Sequence, residues 1–184
     1  MDWLAELSRL MPPPSASARG PTPAAGHWAE VEAALGVGIP EDYKRFVSIW
    51  GADGLIGDFV SYYAPLSDHA ALILPRAAER AIRAHGLTRA GNPQDQALPD
   101  FPAEGSFLPI GASLDGDLFG WILGPGAPET WRIAWLDAGE GAAEAQDLAF
   151  GPWLVALAKG ELRGEAMSRP VFAEGRLKFV SPEE

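Results

Sequence analysis

Apolar residues recur at helical spacing in several parts of the chain. Trp28, Val31 and Leu35 fall on one face of a helix that Gly36 would end. A second stripe lies within 40–50, where a proline occupies the first helical position and a glycine follows the last. The same spacing predicts three further helices, over 3–10, 75–85 and 147–159.

Short apolar segments bounded by glycine and proline predict strands over 55–64, 107–110, 118–123 and 131–136. Turn residues separate the last three of them, as Asp115-Gly116-Asp117 and Gly124-Pro125-Gly126. Short strands joined by tight turns are typical of an antiparallel meander. A final pair of apolar segments within 171–180 predicts a terminal hairpin.

These elements predict an α+β fold, in which one central, mainly antiparallel sheet is covered by helices in a single domain. We expect a short helix and a proline-rich linker over 1–26, the α+β domain over 27–160 and a C-terminal extension over 161–184. The linker has polyproline character, so it either hangs free or lays the first helix back on the body.

Composition narrows the class of protein. The chain has 184 residues, of which 14 are Lys or Arg and 25 are Asp or Glu, so its formal net charge is −11. This balance weighs against general binding to nucleic acid or anionic membranes, which requires a basic surface. The chain has no cysteine, no signal-peptide pattern and no apolar run near the ~18 residues of a membrane span, so we expect a cytoplasmic protein.

The negative charge is concentrated in one part of the sequence. Arg132 is the one basic residue between Ala90 and Ala158. The same stretch contains ten acidic residues: Asp95, Asp100, Glu104, Asp115, Asp117, Glu129, Asp137, Glu140, Glu144 and Asp147. Several lie in the turns between predicted strands, so we expect one rim of the sheet to be negative. The predicted partner-binding residues are Asp115, Asp117, Asp137 and Glu140, facing a basic protein. Ordinary solubility charge is the alternative explanation.

Sequence motifs for catalysis are weak. Gly111-Ala112-Ser113-Leu114-Asp115 lacks the second glycine of a nucleophile elbow, and no phosphate-binding glycine loop occurs. The histidines His27, His69 and His85 fall on separate elements, as surface or cap residues would. Asp115-Gly116-Asp117 is only a fragment of a calcium loop. We therefore expect that the protein is not an enzyme and binds no metal or cofactor. A small hydrolase that uses carboxylates such as Glu129, Glu140 and Glu144 is an alternative hypothesis.

Three tryptophans are ambiguous between core and interface. Trp131 and Trp135 are separated by an even number of positions, so side chains that alternate along a strand would place both on the same side. We expect both in the core. Trp121 is left open.

Three segments carry a recognisable pattern of residues. They are Val31-Glu32-x-x-Leu35-Gly36-x-x-Ile39-Pro40-x-Asp42-Tyr43-Lys44-x-Phe46-Val47 followed by Trp50-Gly51-x-Asp53-Gly54, then Phe107-Leu108-Pro109-Ile110 with Asp115-Gly116-Asp117-Leu118, and Leu148-Ala149-Phe150-x-x-Trp153-Leu154 with Gly160. The pattern, from about Trp28 to Gly160, resembles the SUKH superfamily, which includes fungal cell-wall-synthesis regulators and bacterial immunity proteins.

The resemblance implies a helix-covered sheet and a binding role without catalysis. In bacteria it implies an intracellular antidote to a polymorphic toxin, often a nuclease; the fungal relatives suggest instead a regulatory or scaffolding protein with a cellular partner. It also implies that Tyr43, Phe46 and Trp50 are core residues, and it carries over no catalytic residue.

Overall fold

The computed structural model describes residues 2–90, 98–137, 143–162 and 178–182, and within these ranges the chain forms five α-helices and one seven-stranded antiparallel sheet. The helices are α1 (Trp3–Leu10), α2 (Ala25–Leu35), α3 (Glu41–Trp50), α4 (Arg76–Ala90) and α5 (Phe150–Lys159). The strands are β1 (Leu55–Ile56), β2 (Val60–Tyr62), β3 (Phe107–Ser113), β4 (Leu118–Ile122), β5 (Arg132–Leu136), β6 (Ala143–Gln146) and β7 (Phe179–Val180).

The sheet is a meander with one added strand. Its order is β6-β5-β4-β3-β2-β1-β7, so each strand from β1 to β5 pairs with the next one along the chain. Strand β7 pairs with the outer side of β1, through Leu55 opposite Val180 and Ile56 opposite Phe179. The predicted α+β class with an antiparallel sheet is confirmed.

Two predicted strand assignments change, and one further strand is present. The predicted strand over 55–64 is a hairpin of β1 and β2 that ends at Tyr62, because Gly57 and Asp58 both have positive φ and turn the chain between the two strands. Strand β6 was not expected. The described part of the predicted terminal hairpin, Phe179–Val180, pairs with β1, while 171–177 lie outside the described residues.

The core under the helices is aromatic. Tyr43, Phe46 and Trp50 are fully buried, which confirms that the α3 stripe is core. The Tyr43 ring meets the rings of Trp121 and Phe150 edge-on, with centroids 5.3 and 4.9 Å apart. Such edge-to-face contacts fix the position of α3 between the sheet and α5.

The Tyr43 hydroxyl is a buried polar group of this core that is hydrogen-bonded to another element. The Tyr43 hydroxyl donates to the carbonyl oxygen of Tyr63 at 2.6 Å and lies 3.4 Å from that of Ile110, where β3 has an irregularity in its pairing with β4. Burial raises the pKa of Tyr43 well above its ordinary value, so the hydroxyl stays protonated and acts as a donor.

The N-terminal helix packs on the body. Leu7 and Met11 are fully buried, and α1 lies against α5 with Glu6 Oε1 2.5 Å from Lys159 Nζ. The indole N–H of Trp50 donates to the carbonyl oxygen of Met11 at 3.3 Å. The linker therefore does not hang free. It lays α1 back on the body, which is one of the two arrangements expected from the sequence.

The turn after α3 anchors segments from both sides of the sequence. The backbone N–H of Ala52 donates to the carbonyl oxygen of Pro21 at 2.8 Å, and a Cβ atom on Gly20 would overlap the Ala52 carbonyl. A Cβ atom on Gly54 would overlap the ring of Phe179 in β7. The linker and β7 thus approach this turn too closely for a side chain at either glycine.

Candidate functional site

The meander brings alternate turns to the same end of the sheet. Val60 at the start of β2 pairs with Ser113 at the end of β3, and Leu118 at the start of β4 pairs with Leu136 at the end of β5. The β1–β2 turn, the β3–β4 turn and the residue that follows β5 therefore lie at one end. We call residues 57–59, 114–117 and 137 the acidic end.

Three carboxylates of the acidic end reach solvent to different degrees. Asp58 and Asp115 are exposed at the two turns, and Asp137 is half-buried. Lys178, also exposed, lies beside the β1–β2 turn, because its carbonyl oxygen accepts from the N–H of Gly57 at 2.7 Å. Of the predicted partner-binding residues, Asp115 and Asp137 are thus brought together, whereas Glu140 lies outside the described residues.

Asp58 was missed because a continuous strand was expected across it. The signal was present in the Gly57-Asp58 dipeptide, which is typical of a turn, since both residue types tolerate the left-handed conformation.

Asp117 does not face solvent, which corrects the expectation that it lies on an exposed rim. It is 3% exposed, and its Oδ2 accepts a hydrogen bond from the indole N–H of Trp135 at 3.1 Å. Its backbone N–H donates to Ser113 Oγ at 3.1 Å, and its carbonyl oxygen accepts from the Ser113 N–H at 2.9 Å. The residue closes the β3–β4 turn onto the neighbouring strand.

An apolar side chain projects from the same turn. Leu114 is 71% exposed. It is the one large hydrophobic residue among the described ones whose side chain is exposed. Its backbone N–H donates to the carbonyl oxygen of Phe59 in the β1–β2 turn at 3.0 Å, so the two turns are joined. No pattern in the sequence distinguishes Leu114 from the apolar residues of the core.

The acids of the 90–158 segment do not share one rim. Glu104 and Glu129 precede β3 and β5, which places them at the end of the sheet opposite the acidic end. Glu144 lies on β6 and Asp147 follows it, while Asp95 lies outside the described residues. The charge is divided between both ends and one edge, because consecutive turns of a meander alternate in direction.

Two carboxylates of the segment 31–54, those of Asp42 and Asp53, bind groups inside the fold. Asp42 Oδ2 accepts from the N–H of Gly151 at 2.8 Å and so caps α5, whose own N-cap, Ala149, offers no side-chain hydrogen bond. Burial raises the pKa of Asp42 above its ordinary value, although the Gly151 amide opposes the shift. Asp53 is buried and accepts hydrogen bonds from Ser67 Oγ and, at 2.7 Å, from the N–H of Asp68.

Glu32 forms a link between α2 and α3. Its Oε1 accepts from the N–H of Ile39 at 2.9 Å and lies 2.6 Å from Lys44 Nζ. Burial favours a higher pKa for Glu32, but the hydrogen bonds from Lys44 and Ile39 outweigh it and lower the pKa below its ordinary value.

The remaining candidate side chains take structural positions. Trp121, Trp131 and Trp135 are all buried, and the latter two lie in the same core cluster, as expected. His27 Nδ1 accepts from the N–H of Ala24 at 3.0 Å at the start of α2, and His69 is exposed. The side chain of His85 lies outside the described ones.

Among the described residues, no group of three or more His, Asp or Glu side chains converges as metal ligands would. None of the helices in the described ranges has the length and apolar character needed to cross a bilayer.

Comparison of the chain with models of known protein families, with curated proteins and with solved structures gave no match.

Proposed function

We propose that the chain is a non-catalytic protein-binding module, an immunity protein of the SUKH kind that acts inside the cell and neutralises a polymorphic toxin. The observation that carries this proposal is the acidic end, where Asp58 and Asp115 lie on two turns joined by a hydrogen bond and Asp137 follows β5 at the same end of the sheet. A basic protein domain is the partner that complements such a surface.

The side chains of the SUKH-like segment support a binding role. Tyr43, Asp42 and Asp53 direct their polar atoms to groups within the fold, at the Tyr63 carbonyl, the Gly151 amide and the Ser67–Asp68 turn. Residues used in this way hold a scaffold, and recognition is left to the turns that the scaffold presents.

Electrostatics indicates how a toxin would be blocked. A nuclease binds phosphate in a basic groove, and a set of carboxylates on adjacent turns offers such a groove the same sign of charge. Charges of this kind steer association and set orientation more than they raise affinity. Binding should therefore weaken with salt.

The test uses the C-terminal domain of a toxin encoded beside this chain. Co-expression should protect cells from that domain, and the purified pair should bind less tightly when NaCl rises from about 0.1 M to about 1 M, which shortens the Debye length from about 10 Å to about 3 Å. Combined Asp58→Lys and Asp115→Lys should weaken binding, whereas Glu104→Lys, an exposed charge reversal at the opposite end, should not. Unchanged binding by the double variant would exclude the acidic end as the site.

A gene with no toxin beside it, together with a different cellular partner, would favour a regulatory or scaffolding protein instead.

A further inference from the structure

We infer that Leu114 is the anchor of the interface, a side chain that enters an apolar pocket on a basic partner protein. This inference rests on the proposed function and specifies how the acidic end would be recognised. It begins from an exposure of 71% for a leucine in the middle of a charged surface.

The fold does not require a leucine at this position. The β3–β4 turn uses the backbone N–H of Leu114, which donates to Phe59, and the left-handed conformation of the turn falls on Gly116, at φ 93°. A polar side chain at 114 would leave both features intact. The apolar side chain is therefore unexplained by the folding of the turn.

The turn is held rigid from beneath. Gly116 N–H donates to the Ser113 carbonyl at 3.1 Å, and the buried Asp117 accepts from Trp135 on the neighbouring strand. A side chain on a turn that is already ordered loses less conformational entropy on binding than one on a flexible loop. Asp117 is thus a positioning residue for Leu114 and makes no contact with the partner.

The surroundings indicate the chemistry of the partner. Asp115 is the next residue in the turn, and Asp58 lies in the β1–β2 turn to which Leu114 is hydrogen-bonded. Lys178 also borders the β1–β2 turn, but the described carboxylates at this end, Asp58, Asp115 and Asp137, outnumber it. An apolar anchor surrounded by polar groups is the usual anatomy of a protein interface, in which the centre is desolvated and the rim is charged. The matching surface is one apolar pocket bordered by Lys or Arg.

The first experiment identifies what touches the turn. Full-length variants Leu114→benzoylphenylalanine and Glu104→benzoylphenylalanine are illuminated in cells of the protein's own organism. We expect an adduct with one basic protein from position 114 and none from position 104, which is exposed at the opposite end of the sheet. No adduct from position 114, or equal adducts from both positions, would overturn the inference.

The second experiment measures the anchor with the captured domain as the probe. Leu114→Ala should raise the Kd at least about tenfold, as truncation of a central interface residue does. Glu104→Lys should leave the Kd unchanged, and thermal melting of both variants should match the wild type, because both positions are exposed. A Leu114→Ala variant that binds as tightly as the wild type would refute the anchor.

The outcomes separate the two proposals. If the wild type and Leu114→Ala protect equally well against a neighbouring toxin domain, the anchor is wrong and the proposed function stands. If Leu114→Ala loses a captured partner that is not a toxin, the anchor stands and the immunity function is wrong.

Discussion

The hydrogen bond between Trp135 and Asp117 leads to a test that distinguishes a carboxylate that stabilises the fold from one that is exposed and can contact a partner protein. Both residues are buried, at 2% and 3% exposed, and the bond is 3.1 Å long. A hydrogen bond to a charged group contributes about 1.5–3 kcal/mol to stability. We therefore expect Asp117→Ala to lower the free energy of unfolding by about 2 kcal/mol, whereas Asp117→Asn, which keeps an acceptor oxygen, should lose about half of that.

The assay is urea unfolding followed by far-ultraviolet circular dichroism, together with thermal melting. For a chain of this size, about 2 kcal/mol corresponds to a fall in Tm of about 4–8 °C. Asp115→Ala is the matched control, because it removes the same charge two residues away from an exposed position. Its stability should stay within about 0.5 kcal/mol of the wild type. Equal stability of Asp117→Ala and Asp115→Ala would refute the structural role of Asp117.

Three further predictions concern polar groups within the fold. Asp42→Asn should gain stability relative to the wild type as pH rises from about 4 to 7, because ionisation of a carboxyl whose pKa is raised in the folded state destabilises the wild-type fold. Urea unfolding at both pH values measures the difference in stability, and a difference that does not change with pH would contradict the prediction. Glu32→Gln should lose stability relative to the wild type over the same rise in pH, because the ionised Glu32, whose pKa is lowered in the folded state, stabilises the wild-type fold above the ordinary pKa of the group. An effect that does not depend on pH would exclude the contact with Lys44 as its cause. Tyr43→Phe should cost about 1–3 kcal/mol, since it removes the buried donor to the Tyr63 carbonyl; a change below about 0.5 kcal/mol in urea unfolding would show that the carbonyl finds another donor.

Four of the helices and three of the strands follow from local sequence, whereas α4 continues through Gly86 to Ala90, beyond the predicted end at 85. The apolar stripe of α3 lies between a proline and a glycine, and β3 to β5 are apolar segments separated by turn residues, so pattern and punctuation agree. Strand β6 escapes this reasoning, because Ala143–Gln146 contains neither β-branched nor aromatic residues and is a strand through its pairing with β5.

The candidate site was only partly predictable. Turn chemistry places Asp115 at an exposed tip, and this holds. The burial of Asp117 depends on Trp135 arriving on the adjacent strand, through a pairing that the sequence does not display. The exposure of Leu114 likewise depends on which side of the turn the body occupies, so hydrophobicity alone predicted nothing about it.

The order of the strands sorts the loops of this protein by parity. The loops after β1 and β3 and the end of β5 lie at one pole, whereas the ends of β2 and β4 lie at the other. A change in the length or sequence of an odd loop alters what the first pole presents and leaves the aromatic layer under the helices untouched. Such a scaffold can diversify its recognition without redesigning its interior.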